Sequence, residues 1–196
     1  MNRVKKMVLA SASPRRKELL AQIGLIPEII PSTIEEVITT EIPEEVVKEL
    51  SRQKACDVAA KQPPGTLVMG ADTVVAAEGR ILGKPADHED AHRMIAMLAG
   101  KTHQVYTGVT LAFCKENNTK IVTFAEKTDV TVYPMTEEEI HGYAEDGEPM
   151  DKAGAYGIQG KFAAFIKAID GDYNNVVGLP VGRVYQEIKR LCNEED

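Results

Sequence analysis

The sequence lacks the usual marks of an oxidising compartment, a membrane segment or a nucleic-acid surface. Its cysteines, Cys56, Cys114 and Cys192, number only three, lie far apart and contain no CxxC pair. They make no disulfide framework and fit a reducing cytosol, so a cytoplasmic protein is expected. No run of about 18 apolar residues occurs, so no segment is expected to span a membrane. Behind Arg3, Lys5 and Lys6, the apolar stretch Met7–Ala10 stops at Ser11 and is too short for a signal peptide. Thirty acidic against 23 basic side chains leave a net charge of −7, which argues against a long basic surface for nucleic acid. That charge also repels small anions at long range, so a phosphate-bearing ligand would need a local cluster of Arg and Lys, or a metal. There is no internal repeat and no low-complexity tract.

What is present is ordinary globular material: 196 residues, 43% hydrophobic and 27% charged. That is enough for one substantial domain, or two lobes sharing a cleft, to bury a core without staples. Disorder is expected only at the basic start, residues 1–6, and the acidic end, residues 193–196. Met7–Ala10 reads as a buried strand. Ser13 and Pro14 are placed to cap and open a helix with Leu19, Leu20 and Ile23 on its apolar face, ending at Gly24. A second strand is expected over 26–31. A long helix opens at Pro43 or Glu44, with Val47, Leu50 and Val58 on one face. Thr66–Ala76 is the strongest strand, followed by a hairpin tip at Glu78-Gly79 and a short strand to Leu82. Asp87 caps a helix carrying Ala91, Met94, Ile95 and Leu98. Strands 103–114 and 120–132 flank a polar turn, and Thr136 with Glu139 makes a capping box. A strand over 161–169 and a helix over 176–191 close the chain. Mixed strands and helices, with hairpins as well as crossovers, predict an α/β fold around a mixed sheet.

Several segments carry possible chemistry. Ser11-Ala12-Ser13-Pro14-Arg15-Arg16 takes a strand into a helix N-terminus, where backbone N–H groups and the dipole favour an anion. Its two hydroxyls and two guanidiniums could complete a phosphate cradle. A well-capped helix with solvated arginines is the plainer reading, but two cations in a first turn are electrostatically misplaced for that role. In Gly70-Ala71-Asp72-Thr73, an aspartate interrupts an apolar strand, where burial is costly unless the carboxylate is paired or holds a metal. Lys54 shares the apolar face of its helix and by itself would read as a snorkelling lysine. Glu35 and Glu36 by themselves would read as solvated loop acids. Lys84, in Gly83-Lys84-Pro85, could reach a phosphate from a turn, although the surrounding glycines miss the Walker spacing by one residue and Pro85 replaces its Ser or Thr.

Residues 147–160 hold many breakers and no periodicity, the mark of a functional loop as much as of a structured surface one. There the glycines could admit a ligand close to the backbone, Gln159 could read a base edge, and Tyr156 could pack on a ring or on the core. His88-Glu89-Asp90-Ala91-His92 matches the zinc-protease pattern HExxH. It has no third histidine at the extended spacing, and chance polar capping is the better reading. His103 and His141 are isolated.

Together these segments resemble the Maf (septum-formation inhibitor-like) family. The shared landmarks are Ser-x-Ser-Pro-Arg-Arg at 11–16, Lys54-Ala55, Gly70–Thr73, Gly83–Pro85, residues 147–160 and Gly178-Leu179-Pro180, in family order across nearly the whole chain. The resemblance implies a single domain over 1–196. Its α/β fold would be a mixed twisted sheet with flanking helices, two lobes around a deep cleft, similar to inosine triphosphate pyrophosphatases. It implies hydrolysis of a nucleoside triphosphate between its α- and β-phosphates with a divalent metal, Mg²⁺ or Mn²⁺. Asp72 matches the catalytic acid/base and Glu36 the second acidic position, the two together being the metal residues. Ser11, Arg15, Arg16, Lys54 and Lys84 match phosphate-site positions. Arg15, Thr73 and Gln159 match the branch acting on dTTP and UTP, where the 7-methyl-GTP branch carries Trp, Gln and Glu. A homodimer is compatible with the resemblance. A nucleotide-binding regulator of cell division that does no chemistry is the rival reading. A zinc protease using His88 and His92 is a more distant one.

Overall fold

A computed structural model describes residues 4–193. Of the two ends expected to be disordered, residues 1–3 and 194–196 lie outside the described residues. In chain order the elements are β1 (Lys6–Leu9), α1 (Pro14–Gln22), β2 (Glu28–Ile29), α2 (Pro43–Ala59), β3 (Thr66–Ala77), β4 (Arg80–Leu82) and α3 (His88–Leu98). Then come β5 (Thr102–Cys114), β6 (Thr119–Val132), α4 (Glu137–Ala144), β7 (Ile166–Asp170), α5 (Tyr173–Val177) and α6 (Val181–Asn193). The seven strands form one mixed sheet in the order β2-β1-β3-β5-β6-β7, with β4 on β3. Strand β1 lies parallel to β2 and β3, while β4 is antiparallel to β3 and β7 to β6. The expected α/β class and mixed sheet are thus observed. Among the described residues no helix is long and apolar enough to cross a membrane.

The chain divides into two compact units. One holds the described residues up to Asp72 with 107–126 and 178–193; the other holds Thr73–Tyr106 and Lys127–Val177. The first unit is organised by α2. Its apolar face packs Ala55, Val58 and Ala59 against Val8 of β1 and Ala10 just after it, Val68 of β3, and Ala112 and Cys114 of β5. Small side chains dominate this layer because the helix lies very close to the strands. A Cβ on Gly70 would stand 2.3 Å from the Ser51 carbonyl oxygen, and one on Gly108 would stand 2.1 Å from that of Val47. Only glycine leaves room for a helix backbone at that separation. A chain of hydroxyls ties the same layers, Ser51 to Thr110 and Thr110 to Thr123, each at 3.0 Å.

In the second unit α3 packs on α4. Both helices begin as their sequences predict. Asp87 accepts the Asp90 N–H at 2.8 Å. At α4, Thr136 and Glu139 exchange the two bonds of a capping box, at 3.2 and 2.8 Å. The core below them is aromatic. Phe162, fully buried, has ring-centroid distances of 5.0 Å to Tyr143, 4.7 Å to Tyr156 and 5.6 Å to Phe165.

Four local expectations need correction. Ser13 occupies the N-cap position of α1, but its side chain makes no capping bond; its own N–H instead donates to Ser11 Oγ at 3.3 Å. Strand β2 keeps only two of the six residues expected, because Pro27 and Pro31 bracket an edge that pairs on one side only. The strand expected over 161–169 starts as a 3₁₀ turn, Lys161–Phe165, and becomes extended at Ile166. The closing helix is two helices. Gly178, at φ 128°, leaves helical space and Pro180 offers no N–H, so α5 stops and α6 starts afresh at Val181.

The close docking of α2 makes Gly108 intolerant of a side chain. Gly108→Ala should lower the unfolding free energy by about 1–3 kcal/mol, the usual cost of overpacking. Gly142 within α4 meets nothing within 4 Å of an added Cβ. Gly142→Ala should therefore raise stability by about 0.5–1 kcal/mol, from helix propensity alone. Urea unfolding of both variants reads the two opposite signs.

Candidate active site

The first unit brings five of the expected residues into two groups, Arg16 with Ser11 and Lys54 with Asp72 and Glu36, and the charge of Asp72 acts on Arg16. Strand β1 delivers Ser11, which is buried. Arg16, one turn into α1, is half-buried and does not behave as a solvated arginine. Its Nη1 donates to Ser11 Oγ at 3.0 Å and its Nε to the Gly178 carbonyl at 2.9 Å. Burial lowers its pKa below arginine's usual value, the charge of Asp72 works against that shift, and Arg15 adds to it. A guanidinium remains charged at neutral pH even so. Arg15 is half-buried beside it. Cations thus occupy the first turn of α1, as the sequence conflict with the helix dipole suggests.

Asp72 sits on β3. Of the twelve residues in that strand only Asp72 and Thr73 are not buried. Side chains alternate along a strand, so Asp72 shares the face of Gly70, the face against which α2 lies. That geometry sets Lys54 of α2 on the carboxylate. Lys54 Nζ lies 2.5 Å from Asp72 Oδ1 and 3.0 Å from Glu36 Oε1. The Lys54 and Asp72 side chains are only 16% and 17% exposed, so this contact is shielded, whereas Glu36 is 44% exposed. Lys54 is therefore the centre of a carboxylate pair and not a rim lysine.

Glu36 reaches Lys54 because its loop is strapped along α2. Asp57 accepts from Ser32 Oγ at 2.7 Å and Thr33 N–H at 3.3 Å. Gln53 accepts the Val37 N–H at 2.9 Å and donates to the Val37 carbonyl at 2.6 Å. Glu49 accepts from Thr39, including its N–H at 3.0 Å. Residues 49, 53 and 57 are one helical stripe. Sequence reading missed all three, since an i, i+4, i+8 row of polar side chains also describes any solvated helix face.

Two carboxylates converging on one ammonium make a site suited to a hard cation. Among the described residues no group of three His, Cys, Asp or Glu side chains could hold a metal ion. One or two carboxylates completed by substrate phosphates and water is the usual protein contribution to a Mg²⁺ site, so Asp72 and Glu36 fit such an ion.

Thr73, Lys84 and Gln159 belong to the second unit. Thr73 is half-buried, while Lys84 and Gln159 are exposed. Lys84 follows Gly83, whose carbonyl accepts the Gly154 N–H at 2.9 Å and so joins its turn to the 147–160 segment. That segment is built around Glu148. Its carboxylate accepts from Tyr143 Oη at 2.9 Å and Lys161 N–H at 3.0 Å, and its carbonyl from Lys152 Nζ at 2.6 Å. Of the four glycines expected to admit a ligand, Gly147 meets nothing within 4 Å, and the other three are filled by the protein itself. Added Cβ atoms at Gly154, Gly157 and Gly160 would strike Val75, Lys152 and Glu148. Tyr156 is core, donating or accepting at 2.8 Å with His103 Nε2. His88 Nδ1–H donates to the Ala144 carbonyl at 2.8 Å and His92 Nε2 lies 2.7 Å from Glu137. The HExxH pattern thus fastens α3 to the two ends of α4.

The Maf-like protein family profile matches residues 6–191, which contain every one of these positions. The chain belongs to the Maf-like protein family. Among its relatives, the dTTP/UTP pyrophosphatase of Agathobacter rectalis is 58% identical over 199 residues, 95% of this chain and 97% of that protein. That of Carboxydothermus hydrogenoformans is 52% identical, covering 94% and 97%. That of Lachnoclostridium phytofermentans is 47% identical, covering 95% of each. The Maf-like landmarks at 11–16, 54, 70–72 and 178 lie in the first unit.

His103 supplies a pH-dependent test of how the 147–160 segment is anchored. It is 1% exposed, and burial lowers its pKa from 6.5 to about 4, against a smaller opposing effect of Asp129. Between these values the unfolded chain binds the extra proton, so the contribution is whole above pH 6.5 and is lost as pH falls towards 4. The shift corresponds to a loss on the order of 3 kcal/mol. Urea midpoints at pH 7 and pH 5 should differ less in His103→Gln than in the parent, and an unchanged difference would refute the assignment.

Proposed function

We propose that this Maf-like chain is a nucleoside triphosphate pyrophosphatase that converts dTTP and UTP to the monophosphate and pyrophosphate, with modified pyrimidine triphosphates as further substrates. The observation that carries the reading is the meeting of Asp72 and Glu36 on Lys54, in the unit where Arg16 is oriented by Ser11 and Gly178. Its support from relatives is the printed activity of proteins about half identical over almost the whole chain.

The chemistry follows from the side chains. Asp72 accepts a hydrogen bond from the attacking water and takes its proton as the oxygen closes on the α-phosphorus. The bond from that phosphorus to the bridging oxygen breaks, and the electron pair leaves with pyrophosphate. Arg15, Arg16, Lys54 and Lys84 stabilise the negative charge on the departing group, with Ser11 holding Arg16 in register. No covalent enzyme intermediate is required. Bound at Asp72 and Glu36, Mg²⁺ or Mn²⁺ would polarise the phosphoryl oxygens. Arg15, Thr73 and Gln159 select the pyrimidine base, in keeping with the family branch they match. We further place the enzyme in the cytoplasm, acting on free nucleotides and not on nucleic acid, as a homodimer.

Binding alone does not call for paired carboxylates on a lysine, and this favours hydrolysis over a purely regulatory nucleotide-binding role. Incubation with each common ribo- and deoxyribonucleoside triphosphate, with both products detected, tests the reaction. Pyrophosphate with monophosphate, fastest from dTTP and UTP, is expected; orthophosphate with diphosphate would mean that a different bond is cut. Asp72→Asn should lower kcat by about 10²- to 10⁴-fold, the range for loss of a general base, without loss of the cooperative fold. Gln159→Glu should cut kcat/KM for dTTP and UTP by about tenfold, equivalent to one lost hydrogen bond.

A further inference from the structure

Among the three clasps on the strap, one touches the residue next to Glu36. Gln53 holds both peptide groups of Val37, accepting from its N–H at 2.9 Å and donating to its carbonyl at 2.6 Å. Gln53 also precedes Lys54 in α2, and Glu36 precedes Val37 in the strap. Two consecutive helix residues are therefore matched to two consecutive strap residues, Lys54 to Glu36 and Gln53 to Val37. The remaining clasps fall at Ser32-Thr33 and Thr39, on either side. Without Gln53, Glu36 would lie in the middle of an unattached span from Thr33 to Thr39.

Other features of the strap do not hold Glu36. Ile34, Val37, Ile38 and Ile42 project into solvent, at 44–60% exposure, so no apolar packing of these side chains fixes the loop. Glu36 itself makes one described ion pair, to Lys54. Its position thus depends on backbone hydrogen bonds, and the nearest are those of Gln53.

We propose that Gln53 is a positioning residue, which fixes Glu36 beside Asp72 and thereby sets the affinity for the divalent cation. This rests on the reading of Glu36 and Asp72 as the metal-holding pair. A clamp that only positions a ligand acts on the metal term and spares the chemical step. Gln53→Ala should raise the Mn²⁺ concentration for half-maximal pyrophosphate release by about 10- to 100-fold, the range seen for outer-shell partners of metal ligands. Turnover at saturating Mn²⁺ should stay within about twofold of the parent, since the groups in contact with the substrate are unchanged. Gln53→Glu keeps an acceptor for the Val37 N–H and loses the donor to its carbonyl, so its half-saturation should fall between the two.

Two measurements on metal-free protein and one double variant complete the test. Amide exchange at Val37, read by NMR without metal, should be faster in Gln53→Ala and nearer the parent in Gln53→Glu. Direct Mn²⁺ titration, followed by loss of the free-ion EPR signal, should reproduce the weakened binding. Glu36→Gln should weaken Mn²⁺ binding, and adding Gln53→Ala to it should change little more, because both substitutions remove the same ligand. If Gln53→Ala binds Mn²⁺ like the parent while Glu36→Gln does not, the positioning role is wrong and the metal-pair reading stands. If Glu36→Gln binds Mn²⁺ like the parent, the metal-pair reading is wrong and the role of Gln53 falls with it.

Discussion

The first unit depends on how closely α2 lies against β3 and β5. At Gly70 and Gly108 the helix backbone occupies the space where side chains would otherwise stand. Nothing larger than hydrogen fits, and the neighbouring contacts are small side chains and paired hydroxyls. The consequence is chemical as much as structural. Gly70 and Asp72 share one face of β3, so the same approach that removes a side chain at 70 brings an ammonium to the carboxylate at 72. A helix standing at the ordinary distance from a sheet, about 10 Å, would leave that ammonium a longer and looser reach.

On the proposed reading, an acidic protein that binds a polyanion needs positive charge locally, from side chains or from a metal, and two arrangements bear on this. Arg16 is oriented by a hydroxyl and a backbone carbonyl, both neutral acceptors, and feels the charge of Asp72. Lys54 is held by two carboxylates, whose combined charge exceeds its own. The first arrangement suits an anion directly. The second leaves residual negative charge, which attracts a further cation, and a multivalent one that can bridge to phosphate most of all.

The second unit shows how a motif can be informative and still be misread residue by residue. Residues 147–160 carry the most specific resemblance to the family, yet Gly154, Gly157 and Gly160 pack on Val75, Lys152 and Glu148. Tyr156 is likewise core, set between His103 and Phe162. The loop is a folded body organised by Glu148, and Gln159 is exposed, as are Gly147, Asp151 and Gly160. Irregular sequence here reflects tight internal packing without repeating hydrogen bonds.

By itself the sequence determined whatever depends on near neighbours in the chain. The helices and strands were legible from apolar period, the starts of α3 and α4 from their capping residues, and the family from motifs in order along the chain. It also singled out Asp72, because a carboxylate in an apolar strand conflicts with its surroundings whatever the fold. It did not reveal Lys54 as that carboxylate's partner, since on its own helix face Lys54 looks like any amphipathic residue. Nor did it reveal Gln53, Glu49 and Asp57, whose role exists only once the strap lies over them. Tertiary structure decided these because each is a contact between segments 10 to 25 residues apart. Periodicity and propensity describe one segment at a time, and pairing between segments arises only when burial brings two faces together.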